Sequence, residues 1–177
     1  MSHLDPLLER NLDFARTDAH VGLGPIPKHQ AFVVTCMDAR LDPAHILGAD
    51  LGDALVHRNG GGRVTDSVLR DIAFVAAATT MMSGGEAPTF EVAVIHHTGC
   101  GSALLADESF RSSLAATTCS DDASLETLAV VDPDASVRVD VGIIRNSALV
   151  PTSVAVSGHV YDVETGIVTT VCPAVER

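Results

Sequence analysis

Two short segments of the 177-residue chain hold residue types that bind a borderline-soft metal ion. The first is Cys36-Met37-Asp38-Ala39-Arg40; the second is His96-His97-Thr98-Gly99-Cys100-Gly101. Thiolate and imidazole suit Zn²⁺, and a His-x-x-Cys pair is close enough to share one ion. Adding Cys36 gives three protein ligands and leaves the fourth tetrahedral position to water, the pattern of a catalytic zinc rather than a closed structural one. His97 has the favoured spacing to Cys100, and His96-x-x-x-Cys100 is feasible as well. Against this stands the bland alternative that a cysteine closing a strand is a small buried apolar residue. The metal reading therefore requires a fold that brings the two segments together.

Asp38 and Arg40 lie two residues apart in the first segment, close enough to pair bidentately on a loop. Arginine at that distance keeps the carboxylate ionised. Beside a metal, such a carboxylate can accept a hydrogen bond from the water on the ion; freed from Arg40, it could fill the fourth position itself. On an ordinary surface the same pair would contribute little. Gly99 and Gly101 leave room for close backbone approach, and a helix starting after Cys100 would favour its thiolate.

The elements that must position these residues follow from the apolar patterning. Residues 3–20 read as an amphipathic helix on Leu7, Leu8, Leu12, Phe14 and Ala15, broken by residues 22–27. Residues 31–36 (AFVVTC) form a buried strand, residues 54–58 (ALVHR) a second, and residues 90–96 (FEVAVIH) a third. Between the second and third, residues 65–82 make a helix with Thr65 as its cap, Asp66 in its first turn, and Val68, Ile72, Val75 and Ala76 at helical spacing. Met81 and Met82 at its end read as core packing. Residues 101–117 look helical. Residues 119–150 are read as helix opened by Pro133, although Val137, Val139, Val141 and Ile143 alternate as in a strand. Residues 153–161 and 167–171 are strands joined by Glu164-Thr165-Gly166, a hairpin signal. Strands alternating with helices predict an α/β domain: an open, mostly parallel sheet covered on both faces, with one antiparallel edge strand from the final hairpin. Sites in such sheets form beyond the carboxyl ends of the strands, where the strand order reverses. If the first and third strands are neighbours, Cys36 meets His97 and Cys100 there.

Composition narrows the partners. With 23 acidic and 11 basic residues the formal charge is −12, and the chain lacks the Lys/Arg surface that nucleic acid requires. An anionic membrane surface is excluded on the same ground. No signal peptide or membrane span is visible, the longest apolar stretch being residues 72–78, so cytoplasmic residence is expected. One domain spans residues 1–177, with no linker. In a reducing compartment the cysteines read as thiols or metal ligands rather than disulfides, with Cys119 and Cys172 as spare thiols. His3, His20, His29 and His159 read as surface or capping residues.

The two motifs together, C-x-D-x-R followed by H-x-x-C-G, resemble the β-class carbonic anhydrase family, in the wording of a compact bacterial subgroup. His57-Arg58-Asn59-Gly60-Gly61 looks like its Arg-Asn-Ala-Gly segment, and residues 158–166 look like its closing hairpin. The resemblance implies one Zn²⁺ on Cys36, His97 and Cys100, with Asp38 and Arg40 as the catalytic pair. It implies a four-stranded parallel sheet extended by one antiparallel strand, with the N-terminal helix packed on a partner subunit in a homodimer or larger homo-oligomer. The implied reaction is reversible hydration of CO₂ to bicarbonate and a proton, zinc hydroxide being the nucleophile. His45, His57 and His96 are possible proton carriers. Pro27 stands where plant-type members have a substrate-facing Gln, and the absence of Trp argues against the inhibitory bicarbonate site some members build with one. Hydrolysis of carbonyl sulfide or carbon disulfide on the same scaffold, and noncatalytic zinc or bicarbonate binding, are the alternatives.

Overall fold

The computed structural model describes residues 2–118 and 120–176; Cys119 lies outside them. Five strands form one sheet in the order β2-β1-β3-β4-β5. They are β1 Ala31–Cys36, β2 Ala54–Asn59, β3 Glu91–His97, β4 Ala155–Tyr161 and β5 Val168–Val175. The first four run parallel and β5 returns antiparallel to β4. β1 and β3 are buried along most of their length because strands in the middle of a covered parallel sheet have no solvent face. The strand order reverses between β1 and β3, so the carboxyl ends of these two strands define the crevice of the fold.

Six helices surround the sheet in the described residues: α1 Asp5–Ala15, α2 Pro43–Ile46, α3 Asp66–Met82, α4 Glu108–Thr118, α5 Asp122–Glu126 and α6 Pro133–Asn146. Phe32, Val34, Val92, Val94 and Val156 from the strands meet Val68, Leu69 and Ile72 of α3 and Val137, Val141 and Ile144 of α6 in one core. The alternating valines of residues 137–141 belong to a helix. Asp132 accepts the Ala135 N–H at its N-terminus, Pro133 occupies the first turn, and Val139 and Ile143 face outward.

Three local expectations are corrected. Thr65 stands at the cap position of α3, but its side chain makes no capping hydrogen bond. The expected helix over residues 101–117 is two pieces: a 3-10 segment, Gly101–Ala106, and α4, separated at the extended Asp107. Asp107 instead opens α4, accepting the Phe110 N–H at 2.8 Å. Met81 and Met82 are exposed, since they fall on the outer side of the last turn of α3.

α1 is amphipathic but buries none of its residues; Leu7, Leu8, Leu12 and Phe14, and Leu4 at its cap, are all exposed. Among the described residues no helix is long and apolar enough to cross a membrane.

Candidate metal centre

Cys36 is the last residue of β1 and His97 the last of β3. Their strands are hydrogen-bonded neighbours with Thr35 opposite Ile95, so both chain ends arrive at one level of the crevice. Thr98 and Gly99 then turn the chain, and Cys100 comes back to the same point. All three residues are buried, and their ligand atoms lie within 4.8 Å of one another. Cys36 Sγ and Cys100 Sγ are 3.9 Å apart. A zinc–sulfur bond of about 2.3 Å places two sulfurs roughly 3.8 Å apart in a tetrahedron. The donor set and its spacing fit a zinc ion.

The two adjacent histidines point to different tasks. His97 Nδ1–H donates to the Thr98 carbonyl at 3.0 Å, which leaves Nε2 as the ring's lone pair. That atom is buried and has no hydrogen-bond partner, an arrangement that is costly unless something ligates it. His96 points to α6: its Nδ1 is 2.7 Å from Ser136 Oγ. Its Nε2 lies 3.0 Å from Asp140 Oδ2, too oblique for a hydrogen bond. The structure thus gathers Cys36, His97 and Cys100 and leaves His96 out.

Asp38 and Arg40 pair as the sequence suggested. Arg40 Nε donates to Asp38 Oδ1 at 3.0 Å and Nη2 to Oδ2 at 2.7 Å, while the Arg40 backbone N–H adds a bond to Oδ1 at 2.9 Å. These hydrogen bonds hold the Asp38 carboxyl well below the usual carboxylate range. Arg40 Nη2 also donates to the Gly99 carbonyl at 3.0 Å, tying the two motif segments together. Behind the loop, Arg58 on β2 donates to the Cys36 carbonyl at 3.1 Å and the Asp38 carbonyl at 2.7 Å. Its place beside the end of β1, opposite Thr35, gives it that reach.

The sulfurs interact. Their mutual hydrogen bond pushes the Cys36 thiol up, with burial adding to it, and holds Cys100 down as the thiolate. The Ser102 N–H and hydroxyl also favour the Cys100 thiolate, so peptide N–H support comes from the 3-10 segment rather than from a long helix.

Cys36, Met37, Asp38, Gly61, Ser102 and Leu105 line a cavity of about 380 Å³ over this centre. Gly60 and Gly61 of the Gly60-Gly61-Gly62 turn form part of its wall. Gly62 has φ +68°, and a Cβ there would lie 2.8 Å from the Cys36 nitrogen, so only glycine lets this turn close on β1.

Of the remaining histidines, His57 faces Asp71 at 3.0 Å, and His45 is exposed beside Asp42. His159 is neither a cap nor a surface group, for it is half-buried between Ser157 and Thr170.

Sequence reasoning missed one feature near the centre. Arg63 forks onto Asp140 of α6, Nε to Oδ2 at 2.8 Å and Nη2 to Oδ1 at 3.1 Å. Its Nη1 donates to the carbonyls of Thr127 and Ala129 at 2.7 and 3.0 Å. The available signal was an acid inside the apolar stripe Val137, Val141, Ile144 of α6, visible once that segment is read as a helix.

A family model described as "Carbonic anhydrase" matches residues 31–168. Beta-carbonic anhydrase 1 of Mycobacterium tuberculosis is 34% identical over 179 residues, covering 98% of this chain and 100% of that protein. A carbon disulfide hydrolase of an Acidianus species is 31% identical, covering 92% and 86% of the two chains. Among solved structures, the carbonic anhydrase of Streptococcus mutans superposes with a TM-score of 0.79 at 36% identity, over 97% of this chain and 98% of that one. The chain belongs to the β-carbonic anhydrase family.

Proposed function

We propose that this protein catalyses the reversible hydration of CO₂ to bicarbonate, using one zinc ion held by Cys36, His97 and Cys100. The observation that carries the reading is the meeting of two sulfurs at tetrahedral spacing with one buried, unpartnered imidazole nitrogen, directly beside an ionised carboxylate. Bound zinc would supply Lewis acidity that turns water into a nucleophile near neutral pH, tempered by the charge of two thiolates. Asp38 accepts a hydrogen bond from the reacting water and fixes its lone pair towards CO₂. Arg40 holds Asp38 by three hydrogen bonds and fixes the direction of its carboxylate. A structural zinc has no use for this pair and prefers four protein ligands, which weighs against a noncatalytic role.

The 31% identity to a carbon disulfide hydrolase supports a second reading, hydrolysis of CS₂ or COS at the same centre. Stopped-flow CO₂ hydration, with COS and CS₂ turnover and zinc content measured on the same sample, separates the two. We expect about one zinc per chain and CO₂ as the preferred substrate; turnover confined to CS₂ or COS overturns that preference. Cys36→Ser is expected to lose most of the zinc, and full retention would refute the ligand set.

The reading extends to assembly in the cytoplasm as a homodimer or larger homo-oligomer. Four exposed apolar side chains on a helix that buries none of its residues, with Leu4 exposed at its cap, support packing of α1 on a second copy. Removing residues 1–20 should shift the sedimentation coefficient towards the monomer; an unchanged assembly would remove α1 from the interface.

A further inference from the structure

The two sulfurs of the centre meet different neighbours besides each other. Cys36 is supported by the peptide N–H groups of Asp38 and Gly61. Cys100 is approached by the His97 ring and by Ser102 twice, through its peptide N–H and through its hydroxyl, with Ser102 Oγ 3.1 Å from Cys100 Sγ. A hydroxyl beside a thiolate donates its proton, since the sulfur has only lone pairs to offer. Ser102 is the second residue of the 3-10 segment Gly101–Ala106, whose geometry brings its backbone and side chain to the same sulfur.

The surroundings preserve that hydroxyl's place. Gly61 has φ +80°, and a Cβ at that position would lie 2.8 Å from Ser102 Oγ. The Gly60-Gly61-Gly62 turn therefore leaves a slot that the Ser102 side chain occupies. Ser102 borders the metal cavity on one side. On the other it borders a second cavity lined by His57, Asn59, Thr65 and Ser67, so an added methyl group has room.

Resting on the zinc assignment above, we propose that Ser102 is a positioning residue whose hydroxyl fixes the Cys100 side chain and sets how strongly its sulfur donates to the ion. A hydrogen bond to a metal-bound thiolate draws on the same lone-pair density that the metal uses. It lowers the energy of the sulfur donor orbital and leaves the ion more electron-poor. Outer-shell hydrogen bonds of this kind orient ligands and govern metal retention. Here the effect offsets part of the charge that two thiolates place on one zinc.

The test uses the full-length protein loaded with Co²⁺, which takes tetrahedral sulfur and nitrogen ligands and absorbs through sulfur-to-metal charge transfer. Wild type, Ser102→Ala and Ser102→Thr are compared, and the zinc forms are challenged with a chelator. In Ser102→Ala the charge-transfer band should move to longer wavelength as the sulfur donates more strongly, while loss of the bond that positions Cys100 outweighs this gain and zinc affinity should fall about 10–100-fold. Ser102→Thr keeps the hydroxyl and should retain the wild-type band and affinity. A Ser102→Ala band at the wild-type wavelength overturns the proposal, as does a Ser102→Thr band that moves with the alanine variant. Wild-type protein that shows no cobalt–thiolate band would instead refute the ligand set, so the two failures are distinct.

Discussion

Asp38→Ala should keep its zinc and lose CO₂ turnover by about 10²–10⁴-fold, the range for losing a positioned proton-transfer partner. Asp38 is not one of the three clustered ligand residues, so its removal leaves them in place. What disappears is the acceptor that orients the reacting water, held by two side-chain bonds and one backbone bond from Arg40. Arg40→Ala separates charge from orientation. Without the arginine the Asp38 carboxyl returns towards about 3.9, still ionised at neutral pH. A loss of turnover in that variant therefore reports a carboxylate that has become free to rotate or to swing onto the metal. Arg40→Lys keeps a positive charge but not the fork that reaches both carboxylate oxygens and the Gly99 carbonyl, and should lie between wild type and Arg40→Ala. The measurements are stopped-flow hydration and metal content on the same samples. Wild-type turnover in Asp38→Ala would remove the pair from the mechanism.

The centre was legible in the sequence because its parts are local and its assembly needs only one topological fact. Cys36, Asp38 and Arg40 fall within one loop, His97 and Cys100 within another, and the adjacency of β1 and β3 supplies the rest. Between His96 and His97, spacing and the resemblance favoured the latter, but the physical reason was not legible. It depends on Ser136 and Asp140 of α6 capturing the former, across 40 residues in the case of Ser136. The break at Asp107 was missed because propensity favours helix on both sides of it. There the side chain bonds a backbone N–H of the following helix, a local competition that composition does not reveal. Arg58 was visible only as part of a motif; its hold on two carbonyls of the metal loop follows from strand register.

Breaking the Arg63–Asp140 pair from one side should be among the most destabilising changes available in this chain. Asp140 is fully buried, and the Arg63 side chain is 10% exposed. Removing one partner leaves the other as an uncompensated charge in a low-dielectric interior, which costs about 3–5 kcal/mol. Against a typical stability of about 5–15 kcal/mol, that is a large fraction. For a domain of this size it corresponds to a fall in Tm of roughly 6–20 °C. Asp140→Leu and Arg63→Met should each show it in urea unfolding of the zinc-loaded protein. The double variant should recover much of the loss, because a paired charge and an apolar pair of similar volume are nearly equivalent. Recovery stops short of wild type because the Thr127 and Ala129 carbonyls lose the Arg63 donor in the double variant, about 1–3 kcal/mol if they stay buried. The consequence reaches the metal: Arg63 follows the glycine turn that closes on Cys36. Its anchoring to α6 holds that turn against β1, so zinc should leave Asp140→Leu faster than wild type. Single losses that simply add in the double variant would show that Arg63 and Asp140 do not act as a pair.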